Sequence, residues 1–426
     1  MTDWRATSLG EICRFQAGDA FPKELQGAAT GDVPVVKVSD MNLSGNELFI
    51  SHANNWLSTP EVERDFKLHT VGAVIFAKIG VALTSNRRRI LLRPTVIDNN
   101  MMSAVCTSDV DPRWFYYLLT TLDFNEVASG SALPYLTVRD LNKIAVFVPP
   151  LPEQRAIAAT LGALDDKIEL NRKMNATLEA MARALFRDWF VDFGPTRAKM
   201  EARAPYLFPD LWSLLPDRLD DEGKPEGWEA STIGDEVRVV GGSTPSTKEP
   251  DLWDGGINWA TPKDLSALAA PVLLETSRTI SAAGLAKISS GLLPVGSLLL
   301  SSRAPIGYLA ITEVPVAINQ GFIGMICDKR VSNVFAWLWT LENMEAILAK
   351  ANGSTFQEIS KGNFRPLPVV VPSTPVMHAF DAIAQPLYER IAKNERESRT
   401  LAQTRDLLLP RLMSGQILLH PDAMAG

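Results

Sequence analysis

The run from Pro149 to Phe193 limits what this chain can fold into more than any other stretch. It opens with Pro149-Pro150-Leu151-Pro152-Glu153-Gln154, and apolar residues then recur at Ile157, Leu161, Leu164, Ile168, Leu178, Ala182, Leu185 and Trp189. With Asn171 and Asn175 placed in the same row, the steps alternate between four and three. That period marks a heptad seam rather than the broader apolar face of a globular helix. Pro152 suits a first helical turn, where its missing N–H is no loss, and Glu153 favours the positive end of the helix dipole. Gly194-Pro195 ends the run. A helix of this length spans roughly 60 Å, and a seam that long needs a partner.

The chain supplies one. Adding 223 to the seam positions gives Phe380, Ala384, Leu387, Ile391, Asn394, Ser398, Leu401, Arg405, Leu408 and Leu412, between Thr374 and Gly415. The phase is kept, and so is the polar centre. The pattern predicts an antiparallel pair in which partner numbers sum to 569: Ile168 by Leu401, Asn171 by Ser398, Asn175 by Asn394, Leu178 by Ile391. An offset pairing leaves polar groups against Leu or Ile, at about 1–3 kcal/mol for each unsatisfied group. Polar seam residues fix register in this way.

The rest of the chain repeats with the helix. Trp4 and Trp228, Gly10 and Gly234, Val33 and Ile257, Asp40 and Asp264, and Gly72 and Gly296 are all 224 apart. A period this long is a duplicated domain, not a solenoid. Each copy carries short β-branched runs, such as Val33 to Val38 and Ala73 to Ala77, with helices expected at Pro112 to Leu122 and Val334 to Lys350. Trp114, Tyr116, Tyr117, Trp337 and Trp339 fall on those helices and read as core. The expected fold is therefore a duplicated α/β (α+β) chain, two compact domains with mixed sheets separated by two long antiparallel coiled-coil helices. The boundaries are 1–148 and 227–371 for the domains, 149–193 and 372–415 for the helices, 194–226 for a linker rich in proline and charge, and 416–426 for a tail.

Composition narrows the function. Cys13, Cys106 and Cys327 are too few and too scattered for a disulfide framework or a zinc site, which points to a reducing cytoplasm. The first residues lack a signal-peptide core, and no apolar stretch is long enough to span a bilayer. The net charge of −7 leaves room for local basic faces. There is no phosphate-binding loop, no Gly-x-Ser-x-Gly elbow and no histidine pattern for a metal. Asp210, Glu222 and Lys224 imitate the carboxylate–carboxylate–lysine set of metal-dependent nucleases, but they lie in the linker, with no strands around them. The basic residues carry more weight. Lys78, Arg87, Arg88 and Arg89 in the first copy, and Lys263, Arg303, Lys361 and Asn363 in the second, are candidates for contact with DNA.

Three stretches resemble one family. They are Pro149 to Ile157, Phe186-Arg187-Asp188-Trp189-Phe190-Val191-Asp192-Phe193, and Leu408 to Ile417. Together with the domain–helix–domain–helix order, they are similar to the specificity subunit of a Type I restriction–modification enzyme. The resemblance implies two target-recognition domains, each reading one half of a split, asymmetric sequence in double-stranded DNA. It implies helices that set the spacing and dock two methyltransferase subunits, with restriction motor-nuclease subunits completing the complex. It also implies a chain that is not itself catalytic and holds no cofactor; S-adenosylmethionine, ATP and magnesium belong to the partners. The second helix begins Pro372-Ser373-Thr374-Pro375 and lacks the Glu153-Gln154 pair. The alternatives are a nuclease using Asp210, Glu222 and Lys224, and a protein-binding scaffold.

Overall fold

The computed structural model describes residues 4–43, 45–130, 133–353 and 357–419. Residues 420–426 of the expected tail lie outside this set. The chain divides into two compact units, residues 4–169 with 399–419, and residues 170–398. Each unit therefore combines one sheet domain with a part of both long helices.

The two domains share one topology. In the first, a five-stranded sheet runs in the order Cys13–Ala17, Met101–Cys106, Val74–Ala77, Arg89–Leu91, Phe49–Ile50. All neighbours are antiparallel except the last pair. A three-stranded sheet places Val33–Val36 between antiparallel Asn55–Leu57 and parallel Val96–Ile97. Arg5–Ser8 and Ala145–Val148 form a third, two-stranded sheet. The second domain repeats every pairing and its sense, from Arg238–Val240 against Phe322–Ile326 to Trp253–Ala260 against Ala317–Ile318. The strand content thus divides into three sheets per copy where the sequence suggested one mixed sheet.

Each core forms around one helix. Pro112–Thr121 is capped by Asp111, whose Oδ1 accepts from the N–H groups of Arg113 and Trp114 at 2.9 and 3.0 Å. Asn333–Glu342 is capped by Ser332, which accepts from Phe335 N at 3.0 Å. Trp114, Tyr117, Trp337 and Trp339 are buried, as their place on an apolar face requires. Each buried aromatic of this size contributes about 1.5–3 kcal/mol.

The long helices run Leu151–Phe190 and Thr374–Met413, 40 residues each, with starts and ends 223 apart. The seam is covered along its length. Ile157, Leu161, Asn171, Asn175, Phe380, Ile391 and Asn394 are buried, and Leu164, Ile168, Leu178, Leu185, Leu387, Ser398, Leu401 and Leu408 are half-buried. Within the second unit the expected register is read directly from hydrogen bonds. Asn394 Nδ2 donates to Asn175 Oδ1 at 2.8 Å, and Asn171 Nδ2 donates to Ser398 Oγ at 3.2 Å. Two carboxylates also join this layer: Asn171 reaches Glu397 at 3.0 Å and Asn175 reaches Glu395 at 2.6 Å. Asn171 and Asn175 thus find the polar partners that the 569 sum assigns them.

The linker is folded. It forms Gly194–Met200 and Pro209–Leu214, and Leu207 and Leu211 pack on the core while Phe208 stays 80% exposed. Glu153 and Gln154 are used inside the first unit. Glu153 accepts from Trp4 Nε1 at 3.1 Å, and Gln154 bridges Asp111 N and Pro149 O.

A pH dependence follows from one buried ring. His69 faces Ser103 Oγ at 2.7 Å, and burial pushes its pKa down to about 4. The unfolded chain binds that proton near pH 6.5, so stability is full above this value and falls between pH 6.5 and 4, by on the order of 3 kcal/mol. Leu293 makes the matching backbone bridge in the second copy. Denaturant unfolding of His69→Leu across this range is expected to lack the wild-type slope; an identical slope in both proteins contradicts the assignment.

Candidate nucleic-acid interface

At one end of each five-stranded sheet, four loops are tied together by the same backbone hydrogen bonds. In the first domain Asp19 N donates to Ile97 O at 3.0 Å, Lys78 N to Asn100 O at 2.8 Å, and Leu136 N to Lys78 O at 2.9 Å. In the second domain Ser243 N donates to Ile318 O at 3.1 Å, Ser302 N to Gly321 O at 2.8 Å, and Ile359 N to Ser302 O at 3.0 Å. A two-residue bridge closes each set, Ser129 with Tyr135 and Asn352 with Glu358. Gly18 and Gly242 enter these loops where no side chain fits. A Cβ there would stand 2.1 Å from Asp98 O and 1.7 Å from Ile318 O. The backbone of the loop cluster is duplicated, but its side chains are not. Lys78 stands where the second copy has Ser302, Asn100 where it has Gly321, and Tyr135 where it has Glu358.

The first cluster exposes Val81, Leu133 and Tyr135 beside Lys78. A hollow of about 330 Å³ adjoins it, lined by Met41, Ala77, Val81, Ser85 and Arg87 among others. The second cluster is more polar. Thr244 Oγ1 donates to Gln320 Oε1 at 2.6 Å, and Arg303 lies 3.7 Å from Glu358. The indoles of Trp253 and Trp259 donate to Ser246 O and Ser243 O, which holds the 243–246 loop in place.

The basic candidates separate into surface and interior. Arg87, Lys263 and Lys361 are exposed, with no ion-pair partner among the described residues, and Lys78 is half-buried. Lys361 extends along Gly241. Arg88 is not a surface residue. It is 2% exposed, its guanidinium lies 3.9 Å from the centre of the Phe124 ring, and it donates to Asn86 Oδ1 at 2.8 Å. Burial pushes its pKa down to about 9. Arg89 is half-buried at the start of a strand and donates to the carbonyls of Arg88 and Met41. Asn363 holds its own turn through Ser360 and the Lys350 carbonyl. Arg88 therefore belongs to the interior, while Arg89 and Asn363 are half-buried and tied to the backbone around them. The loop side chains Asn100, Tyr135, Thr244, Gln320 and Glu358 carry no mark in the sequence by themselves. Only the 224-residue offset, followed loop by loop through its small deletions, points to them.

Nothing assembles around the linker carboxylates. Lys224 is paired with Asp220 and, at 2.9 Å, with Glu222, while Asp210 sits on the separate helix Pro209–Leu214. No group of three His, Cys, Asp or Glu side chains among the described residues is placed to hold a metal. No helix among them is long and apolar enough to cross a membrane.

Duplicated sheet domains, unlike loop clusters on a common backbone and a paired seam define a two-site recognition chain. The model of the Type I restriction modification DNA specificity domain matches residues 1–180 and 225–397, and the chain belongs to that family. The specificity subunit of the Type I restriction enzyme HindI of Haemophilus influenzae is 24% identical, over 98% of this chain and all of that one. The MjaIX specificity subunit of Methanocaldococcus jannaschii is also 24% identical, over 97% and 94% of the two chains. A crystal structure of the S subunit of a Type I restriction–modification system from M. genitalium shares the fold, with a TM-score of 0.59 at 14% identity over 96% of each chain. The place of this chain in such a system is that of the subunit that recognises DNA, and the nuclease alternative is not supported.

Proposed function

We propose that each loop cluster faces one half of a split DNA target, and that the paired helices set the distance between the halves. The observation that carries this is the common backbone with unlike side chains: one scaffold, two different displays, hence two different half-sites. Lys78 and Arg87 in the first domain, and Lys263, Arg303 and Lys361 in the second, supply phosphate contacts, which position the protein without reading sequence. The apolar group of Val81, Leu133 and Tyr135 suits contact with thymine methyls, while the hydrogen-bonding set around Thr244, Gln320 and Glu358 suits base edges. Methyltransferase subunits dock on the helices, and restriction motor-nuclease subunits join them. Those partners bring the S-adenosylmethionine, ATP and magnesium. The cell compartment is the cytoplasm, in keeping with three free cysteines.

Salt dependence tests the surface assignment. In the assembled complex, Lys78→Ala with Arg87→Ala is expected to flatten the slope of log affinity against log salt by about 0.9 for each phosphate that the protein no longer neutralises. Folding is kept in that variant. Arg88→Ala acts the other way: it opens the space against Phe124 and lowers stability, without a specific change in slope. A double variant with the wild-type slope removes Lys78 and Arg87 from the interface.

A further inference from the structure

Each sheet domain is held to the long helices by one phenol, one carboxylate and one arginine, with the phenol buried and the arginine on the solvent side, and the two groups are built in opposite senses. In the first unit the carboxylate comes from the helix. Asp165, 6% exposed, accepts from the hydroxyl of Tyr117 on Pro112–Thr121 at 2.5 Å. Its other oxygen accepts from Arg405 of the second long helix at 2.7 Å. In the second unit the phenol comes from the helix. Tyr388, 3% exposed, donates to Glu313 Oε1 at 2.8 Å, and Arg396 of the same helix closes on the other oxygen of Glu313. Glu313 follows directly on the strand Ile306–Thr312. Asp165 and Tyr388 are 223 apart, so they hold the same place in the two helices.

The two units thus solve one problem with swapped partners. Stability does not explain the choice, because an ion pair gains little net stability whether its arginine is exposed, as Arg396 is, or half-buried, as Arg405 is. Geometry does. Apolar packing is non-directional and tolerates small slides along a helix. A hydrogen bond to a fixed carboxylate oxygen is broken by a displacement of about 1 Å or a tilt of a few tens of degrees. The surroundings keep both phenols in the form that donates, since burial and the adjacent carboxylate raise the pKa of Tyr117 and Tyr388.

We infer that Tyr117–Asp165–Arg405 and Glu313–Tyr388–Arg396 are latches that fix the axial and angular seat of each domain on its helices, and so restrict the protein to one gap length between half-sites. The inference rests on the two-half reading above. One base pair corresponds to roughly 3.4 Å and 35° along B-DNA, so a seat loosened by that much accepts a neighbouring gap. These are positioning residues; none of them needs to touch DNA.

The test uses the full chain in complex with its methyltransferase subunits. Methyl transfer is measured on duplexes carrying both native half-sites, with gaps from two base pairs shorter to two longer than the native one. Tyr117→Phe and Tyr388→Phe each remove one hydroxyl and keep the ring; Asp165→Asn is a second variant that preserves shape. Each is expected to lower the preference for the native gap over a one-base-pair neighbour by about tenfold, with both half-sites read as before. Wild-type gap preference in both Phe variants overturns the inference, whatever happens to Tm, and leaves the groups as stabilising contacts. A wild-type complex that methylates no gapped duplex overturns the two-half reading itself, a result the variants cannot mimic.

Discussion

Inserting one heptad between Glu169 and Leu170, and another between Ser398 and Arg399, is expected to lengthen the unread gap in the DNA target. These are the two places where the chain passes from one compact unit to the other. Seven residues add about 10 Å of helix, close to three base pairs by length. A heptad returns the seam nearly to its starting direction, so the hydrophobic pairing on both sides of the insert is kept. Three base pairs also turn the duplex by roughly 100°, so the enlarged target is methylated less efficiently than the native one. Both half-sites stay unchanged, because neither loop cluster is touched. Methylated-base mapping of the variant reads the gap directly. An unaltered gap with full activity means that the helices do not set it.

The polar layer yields the second large effect. Asn175→Leu leaves Asn394 and Glu395 facing an apolar side chain, and Asn394→Leu removes the partner of Asn175. Either single change is expected to lower stability by about 1–3 kcal/mol, the usual cost of an unsatisfied buried group. The double change to Leu removes both amides of one pair, leaves only Glu395 without its Asn175 donor, and is expected to recover part of that deficit. It also removes one of the features that distinguish the native register from one shifted by a heptad. The double variant should therefore be more stable than Asn175→Leu alone, yet methylate targets with more than one gap. Thermal unfolding and methylation mapping together decide it: a stable double variant with a single native gap assigns the register to the apolar seam alone.

The parts of this structure that are legible in the sequence are those that repeat with a period. Heptad spacing fixes which face of a helix is covered, and the Asn171 and Asn175 positions then leave one favourable register. The helix ends fall 223 apart because the two copies keep the same number of turns. The duplication is visible in Trp4, Gly10 and Asp40 because each has a fixed structural task. Asp40 Oδ2, for example, accepts from Lys37 N at 2.8 Å, and Asp264 Oδ2 accepts from Thr261 N at 2.7 Å. The three-arginine run misleads for a local reason. Arg87, Arg88 and Arg89 lie where a loop enters a strand, and only the tertiary fold decides that Arg88 turns inward onto Phe124 while Arg87 stays outside. The loop clusters are equally hidden. Their bonds join residues far apart in sequence through backbone atoms, which leave no mark in side-chain identity. The latches escape because Asp165 and Tyr388, though equivalent in position, do opposite halves of the same task.

On the reading proposed above, this chain determines which DNA sequence is methylated, and it does so through two unlike domains. Mapping methylated bases across the host genome, with the gene intact and with it deleted, tests that most directly. The expected result is one methylated motif that disappears on deletion, made of two different half-sites at a single fixed gap. A methylation pattern unchanged by the deletion, or a vanished motif that is continuous or symmetric, contradicts it.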